Sequence, residues 1–147
     1  MEQEIAIKEV KTSKGRLIGY WIATGIIALQ VLAGAYFDLT RFPAFSQIAQ
    51  HLGYPLYLLT ILGVARILAL IALLAPRFAR LKEWTYAGLF FEYSLAFLSH
   101  ITMGDGPEVW ISPLAFAALL MASWYLRPTS RKLQIYPMKV ASKNRNN

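Results

Sequence analysis

The chain contains no cysteine. That absence excludes a disulfide framework, a thiolate zinc site, a cysteine-ligated iron–sulfur cluster and CxxC redox chemistry, so any redox role must borrow its electron carrier. Charge is scarce as well: 16% of the 147 residues are Asp, Glu, Lys or Arg, against about 25% in an ordinary soluble domain. Acids are the scarcer sign, 8 against 15 basic residues, which leaves a net charge of +7. There is no glycine-rich phosphate loop, no HExxH helix and no nucleophile elbow, so nothing specifies a self-contained active site.

What the sequence has instead is apolar length. Four stretches, 17–37, 55–75, 84–103 and 109–126, are each long enough to cross a hydrocarbon core of about 30 Å at 1.5 Å per residue. The expected fold is an all-α, integral membrane four-helix bundle over 17–126. A basic segment, 1–16, precedes it, and a polar, basic tail, 127–147, follows without apolar period and is expected to be disordered. The Ala33-Gly34-Ala35 run resembles a signal cleavage site, but the apolar run before it is longer than a signal core, so the first stretch reads as a span.

The basic residues fall on one side. Lys8, Lys11, Lys14 and Arg16 precede the first span, Arg77, Arg80 and Lys82 separate the second from the third, and Arg127, Arg131, Lys132, Lys139, Lys143 and Arg145 follow the fourth. The other two connections hold Arg41 alone. By the positive-inside rule both termini are cytoplasmic. The +7 is therefore a topology signal with an affinity for anionic membrane lipids, and a nucleic-acid role has little support. Trp21, Trp84, Trp110 and Trp124 all fall near span ends, where an aromatic belt belongs.

In the first outer connection Phe42, Phe45, Ile48 and Leu52 recur at helical spacing between Pro43 and Gly53, which predicts a short amphipathic helix lying at the outer interface. Gly104-Asp105-Gly106-Pro107 predicts a tight turn that pairs the third and fourth spans. Ala65, Ala69 and Ala72, Ala118 and Ala122, and Gly25 and Ala28 mark expected close-packing faces. Pro113 is expected to break the fourth span near its outer end.

Arg66 and Glu92 each interrupt an apolar span. Counted from the connection that joins their spans, they lie about 13 Å and about 12 Å deep, so a hairpin brings them to one level. Two readings stand side by side. One is an ion pair that fixes the register of two spans. The other is a polar ligand pocket in which Arg66 orients an anionic or carbonyl group, Glu92 handles a proton, and Gln30, Ser99 and His100 extend the polar surface. Asp38, His51, Asp105 and Glu108 form with His100 an outer polar rim. Their spacing fits no standard metal motif, and His51 lies in a connection, which disfavours a haem held by His51 and His100.

The runs His51-Leu52-Gly53-Tyr54-Pro55, Leu62-Gly63-Val64-Ala65-Arg66, Leu81-Lys82-Glu83-Trp84-Thr85-Tyr86-Ala87-Gly88, Ser99-His100 and Gly104-Asp105-Gly106-Pro107 occur in an order that resembles the DoxX-like family of small four-span bacterial membrane proteins. The resemblance implies a compact bundle in the bacterial inner membrane, in a group named after a small subunit linked to quinone-coupled sulfur oxidation. Its expected basic residue in the second span matches Arg66 and its outer histidine matches His100. The function expected from it is a subunit or accessory factor of a quinone-linked redox or stress-response complex, holding a quinone or lipid-like ligand, with a homo-oligomer as a further possible assembly. A transporter component and a purely structural membrane protein are the alternatives.

Overall fold

The computed structural model describes residues 13–133, whose regular elements are all helices, with no strand. Residues 1–12 and 134–147 lie outside the described residues, and with them Lys8, Lys11, Lys139, Lys143, Arg145 and most of the tail.

Helix α1 (Lys14–Leu39) starts where the Ser13 hydroxyl accepts the Arg16 amide at 3.3 Å, satisfying one of the donors a helix start leaves orphaned. It runs past both ends of the predicted first span. Arg41 then turns the chain with a positive φ of 50°. Pro43 opens α2 (Pro43–His51) at a position where its missing N–H costs nothing. Helix α2 rests on α1 through the Phe37 ring, whose centroid lies 5.1 Å from that of Phe42 and 4.9 Å from that of Phe45.

Helix α3 (Tyr57–Leu74) stops because Pro76 forces Ala75 into extended backbone. Helix α4 (Ala79–Thr102) stops at Gly104, whose φ of 79° lets the Gly104 and Asp105 amides reach the carbonyls of Ile101 and His100, each at 3.0 Å. Helix α5 (Pro107–Leu126) runs through Pro113 without interruption, contrary to the expected break. One proline near the start of a helix removes a single backbone bond, and the other bonds carry the helix through it.

The helices close into a ring: α1 packs against α3 and α5, and α4 against α5 and α3, while α2 touches α1. The centre is filled by Ile27 and Val31 of α1, Leu73 of α3, Tyr86, Leu89 and Tyr93 of α4, and Ala117 and Leu120 of α5. The expected small-residue faces hold only in part. Ala72 is buried, but Gly25, Ala65, Ala118 and Ala122 face outward, because a helix turns about 100° per residue and the core stripe of α5 passes through Ala117, Leu120 and Ser123 instead. The close approaches are made at Gly34 and Gly63, where a Cβ would run into Arg66 and into Leu39 respectively.

The bundle is inside out relative to a water-soluble one. Lys82, Arg127, Asp38, Thr24 and Ser123 are each 1–2% exposed, whereas Leu29, Ile71, Phe91 and Trp84 stand 61–77% exposed. A continuous apolar sheath over buried charge is unstable in water and natural in lipid. Helices α1, α3 and α5 are long and apolar enough to cross a membrane. Helix α4 is as long, at 24 residues, but more polar: Arg80, Lys82, Glu83, Glu92 and His100 all lie on it. The start of the tail, expected to be disordered, is a single 3₁₀ turn, Thr129–Arg131, packed back on α1. It is held by Arg131, whose guanidinium sits 4.7 Å from the Trp21 ring centroid.

Candidate functional site

The two ends of the bundle differ. One, the α2 end, carries α2 and the α4–α5 turn; the other, the tail end, carries the start of α1 and residues 127–133. Polar groups form four tiers between them.

Nearest the middle of α3, Arg66 reaches two carboxylates. Its Nε donates to Glu92 Oε1 at 2.7 Å and its Nη1 to Asp38 Oδ2 at 2.6 Å, and Nη2 also contacts Glu92. The predicted meeting of Arg66 and Glu92 is present, but Asp38, expected on the outer rim, belongs to this cluster instead. The reason is helical phase: Ile27, Val31, Gly34 and Asp38 are all buried along one stripe of α1, so Asp38 is carried inward by the same periodicity that buries Ile27. Gly34 makes room for the guanidinium. Three of its five N–H donors go to the two carboxylates and Gly34 lies against the guanidinium, so in this arrangement Arg66 serves as the counter-ion of Asp38 and Glu92. Gln30 is not bonded to Arg66; its side-chain oxygen accepts from the Tyr93 hydroxyl.

At the α2 end, Asp105 lies between two imidazoles. His51 Nε2 is 2.8 Å from Oδ1 and His100 Nδ1 is 2.6 Å from Oδ2. An ionised carboxylate only accepts, so these two nitrogens carry protons, and His51 Nδ1 is left as an acceptor when that ring is neutral. The hydrogen bonds from His100 and, next, from His51 hold the Asp105 carboxyl below its ordinary range. The chain links α2, α4 and the turn, and it opens on a cleft of about 420 Å³ lined by Ala44, Gln47, Ile48, His51, His100, Asp105 and Val109. His100 is 9% exposed and His51 is 51% exposed at the side chain, so His51 is the member presented to a ligand. Beside this chain Ser99 pairs with the Tyr54 hydroxyl at 2.6 Å. Glu108 curls back over Gly106 at the start of α5. Among the described residues no group of three or more His, Cys, Asp or Glu is placed to hold a metal ion.

Two tiers toward the tail end carry residues that sequence reasoning left unassigned. Ser123 Oγ lies 2.8 Å from both Thr24 Oγ1 and Tyr86 OH, a buried knot of hydroxyls from three helices. Below it Lys82 is fully buried. Its Nζ donates to the carbonyls of Ala72 at 3.0 Å and Leu73 at 2.8 Å and contacts that of Ala75. A cation there answers the orphan carbonyls and negative dipole of the α3 C-terminus. Arg127 is stacked 4.8 Å from the Tyr86 ring centroid and donates to Glu83 at 2.7 Å, and Glu83 also accepts Trp124 Nε1 at 2.8 Å. Thr24 and Ser123, small hydroxyl residues within apolar spans, are the available signal for the first of these tiers.

The comparisons with known proteins bear on this arrangement as a whole. No curated protein and no solved structure matches the chain. A match to the DoxX-like family covers residues 22–123, a region that holds every tier except the Arg127 contact and takes in more than half of the sequence. The chain therefore belongs to the DoxX-like family and is a membrane protein.

Proposed function

We propose that the protein is a four-span accessory subunit of a quinone-linked redox or stress-response complex in the bacterial inner membrane, and that it binds a quinone or lipid-like headgroup in the cleft at the α2 end. In this reading α4 is the remaining span. Its polar residues sit either at the tail end, with Lys82 and Glu83, or inside closed pairs, so it can share the lipid sheath with α1, α3 and α5. Tail-end Arg and Lys make that end cytoplasmic, and the α2 end faces outward.

The observation that carries the ligand reading is the His51–Asp105–His100 chain opening on the cleft. The Arg66 cluster does not fit, since its guanidinium is already bound and Gly34 lies against it. The cleft does fit: Ile48 and Val109 offer apolar wall, while neutral His51 Nδ1 accepts a quinol hydroxyl and the protonated ring donates to a quinone carbonyl. A quinone bound there would supply the two-electron chemistry that a chain without cysteine lacks. The chain's own contribution is to orient the ring through Asp105 and to hold α2 against the α4–α5 turn.

The transporter reading is weaker. Between the Gln30–Tyr93 pair and the Thr24–Ser123–Tyr86 tier, Ile27, Leu73, Leu89 and Leu120 form a layer that is 0–3% exposed, which offers an ion or solute no polar partner. Purification in mild detergent followed by lipid extraction tests the proposal: quinone should be recovered above the level of the surrounding lipid, and a quinone analogue should raise thermal stability. Recovery at background with no stabilisation removes it.

A further inference from the structure

The cluster around Arg66 contains one guanidinium and two carboxylates. With every group ionised it carries a net charge of −1 in a place where the side chains of Asp38, Arg66 and Glu92 are only 2%, 13% and 18% exposed. An arginine does not lose its proton, so the imbalance cannot be removed from the cationic side. Nor, among the described residues, is there a second cation to share. Past the end of α1 the next charged residue, Arg41, is exposed and bonded to Thr60 Oγ1 at 3.4 Å. On α3, Arg66 is the one charged residue; on α4 the neighbours are Tyr93, hydrogen-bonded to Gln30, and, two turns away, His100, bonded to Asp105. Helix α5 brings no charge to this level: its one charged residue, Glu108, lies in its first turn. His51 of α2 is occupied by Asp105.

We propose that the Asp38–Arg66–Glu92 cluster is a binding site for a single proton, held by one of the two carboxyl groups at neutral pH. Uptake forms one O–H bond and takes the cluster from −1 to neutral; release returns the proton to water at the α2 end, three residues from exposed Arg41. The chain does not carry that proton across the bundle, because the Ile27, Leu73, Leu89 and Leu120 layer lies on the other side. Arg66 then has one full counter-ion and one neutral carboxylic acid, and both can keep the hydrogen bonds observed, since a protonated carboxyl retains acceptor capacity. The cluster is in this view a storage site that loads and unloads from one side.

Infrared spectroscopy of the purified full-length chain in detergent micelles at neutral pH tests this. The wild type should show the carbonyl band of a protonated carboxylic acid, shifted in D₂O. Charge balance makes an unusual demand on the variants: Asp38→Asn and Glu92→Gln should each abolish the band, because either substitution leaves a matched pair of one carboxylate and one guanidinium. Melting temperatures of the two single variants should stay near wild type, whereas the double variant, which strands Arg66 without a counter-ion, should melt clearly lower. Absence of the band in wild type overturns the proposal. Its persistence in either single variant does so too, because the proton would then belong to one buried acid and not to the charge count. Should one variant fail to fold, the wild-type band and the other variant still decide.

Discussion

Replacing Lys82 by Met removes a buried ammonium and keeps most of the side-chain volume. In the folded chain Nζ serves the carbonyls of Ala72, Leu73 and Ala75 at the end of α3. Each buried carbonyl left without a donor costs about 1–3 kcal/mol, and loss of a cation from a helix C-terminus adds about 0.3–1 kcal/mol. Against this, the variant no longer has to desolvate an ammonium, which returns several kcal/mol at most. Weighing two or three stranded carbonyls against that recovery leaves a net loss of about 3 kcal/mol. Arg80→Met is the control, since Arg80 is exposed and makes no side-chain hydrogen bond or ion pair among the described residues, and its loss should stay within about 0.5 kcal/mol. Equilibrium unfolding in mixed micelles, followed by tryptophan fluorescence, measures both. If Lys82→Met is as stable as Arg80→Met, Lys82 is not the cap of α3 and the reasoning fails.

Three further outcomes follow from the same geometry. Gly34→Ala should destabilise by about 1–3 kcal/mol, because its methyl displaces a guanidinium tethered at two points; Gly25→Ala, where a methyl meets nothing, should be neutral or stabilising by up to about 1 kcal/mol, and equal effects at the two sites would contradict the account. The Asp105 carboxyl is held below its ordinary value by His100 and His51. Its share of stability is therefore present above that value and is lost as pH falls through the lower, folded one, so Asp105→Asn should flatten the acid limb of a stability–pH profile; an unchanged limb refutes it. Proteoliposomes loaded with a pH dye should show no proton flux above lipid alone, and a flux that Glu92→Gln removes would revive a transport function.

The parts of the fold that depend on runs of apolar residues could be read directly, because hydrophobic length needs no partner to be visible. The meeting of Arg66 with Glu92 was also legible, since equal depth from one connection brings them together whatever the detailed packing. Asp38 reads from the sequence as an outer-rim residue because the apolar run ends at Phe37, while α1 continues to Leu39 and carries Asp38 on the same stripe as Ile27, Val31 and Gly34. Lys82 reads from the sequence as a loop charge, because α4 begins at Ala79, five residues before the apolar run. The partners of Lys82 are backbone carbonyls, which every residue has, so no residue type announces the contact. Tyr54 and Ser99 sit 45 positions apart, and nothing local links them.

The account's central claim separates two polar sites: the Arg66 cluster serves the fold and holds a proton, and the cleft beside His51 takes the ligand. The most direct test is the thermal shift that a quinone analogue produces in three versions of the full-length chain. Wild type and Glu92→Gln should be stabilised equally, and Asp105→Asn, which leaves His51 unoriented, should lose the shift. Loss of the shift in Glu92→Gln with retention in Asp105→Asn would place the ligand at Arg66 and contradict the account.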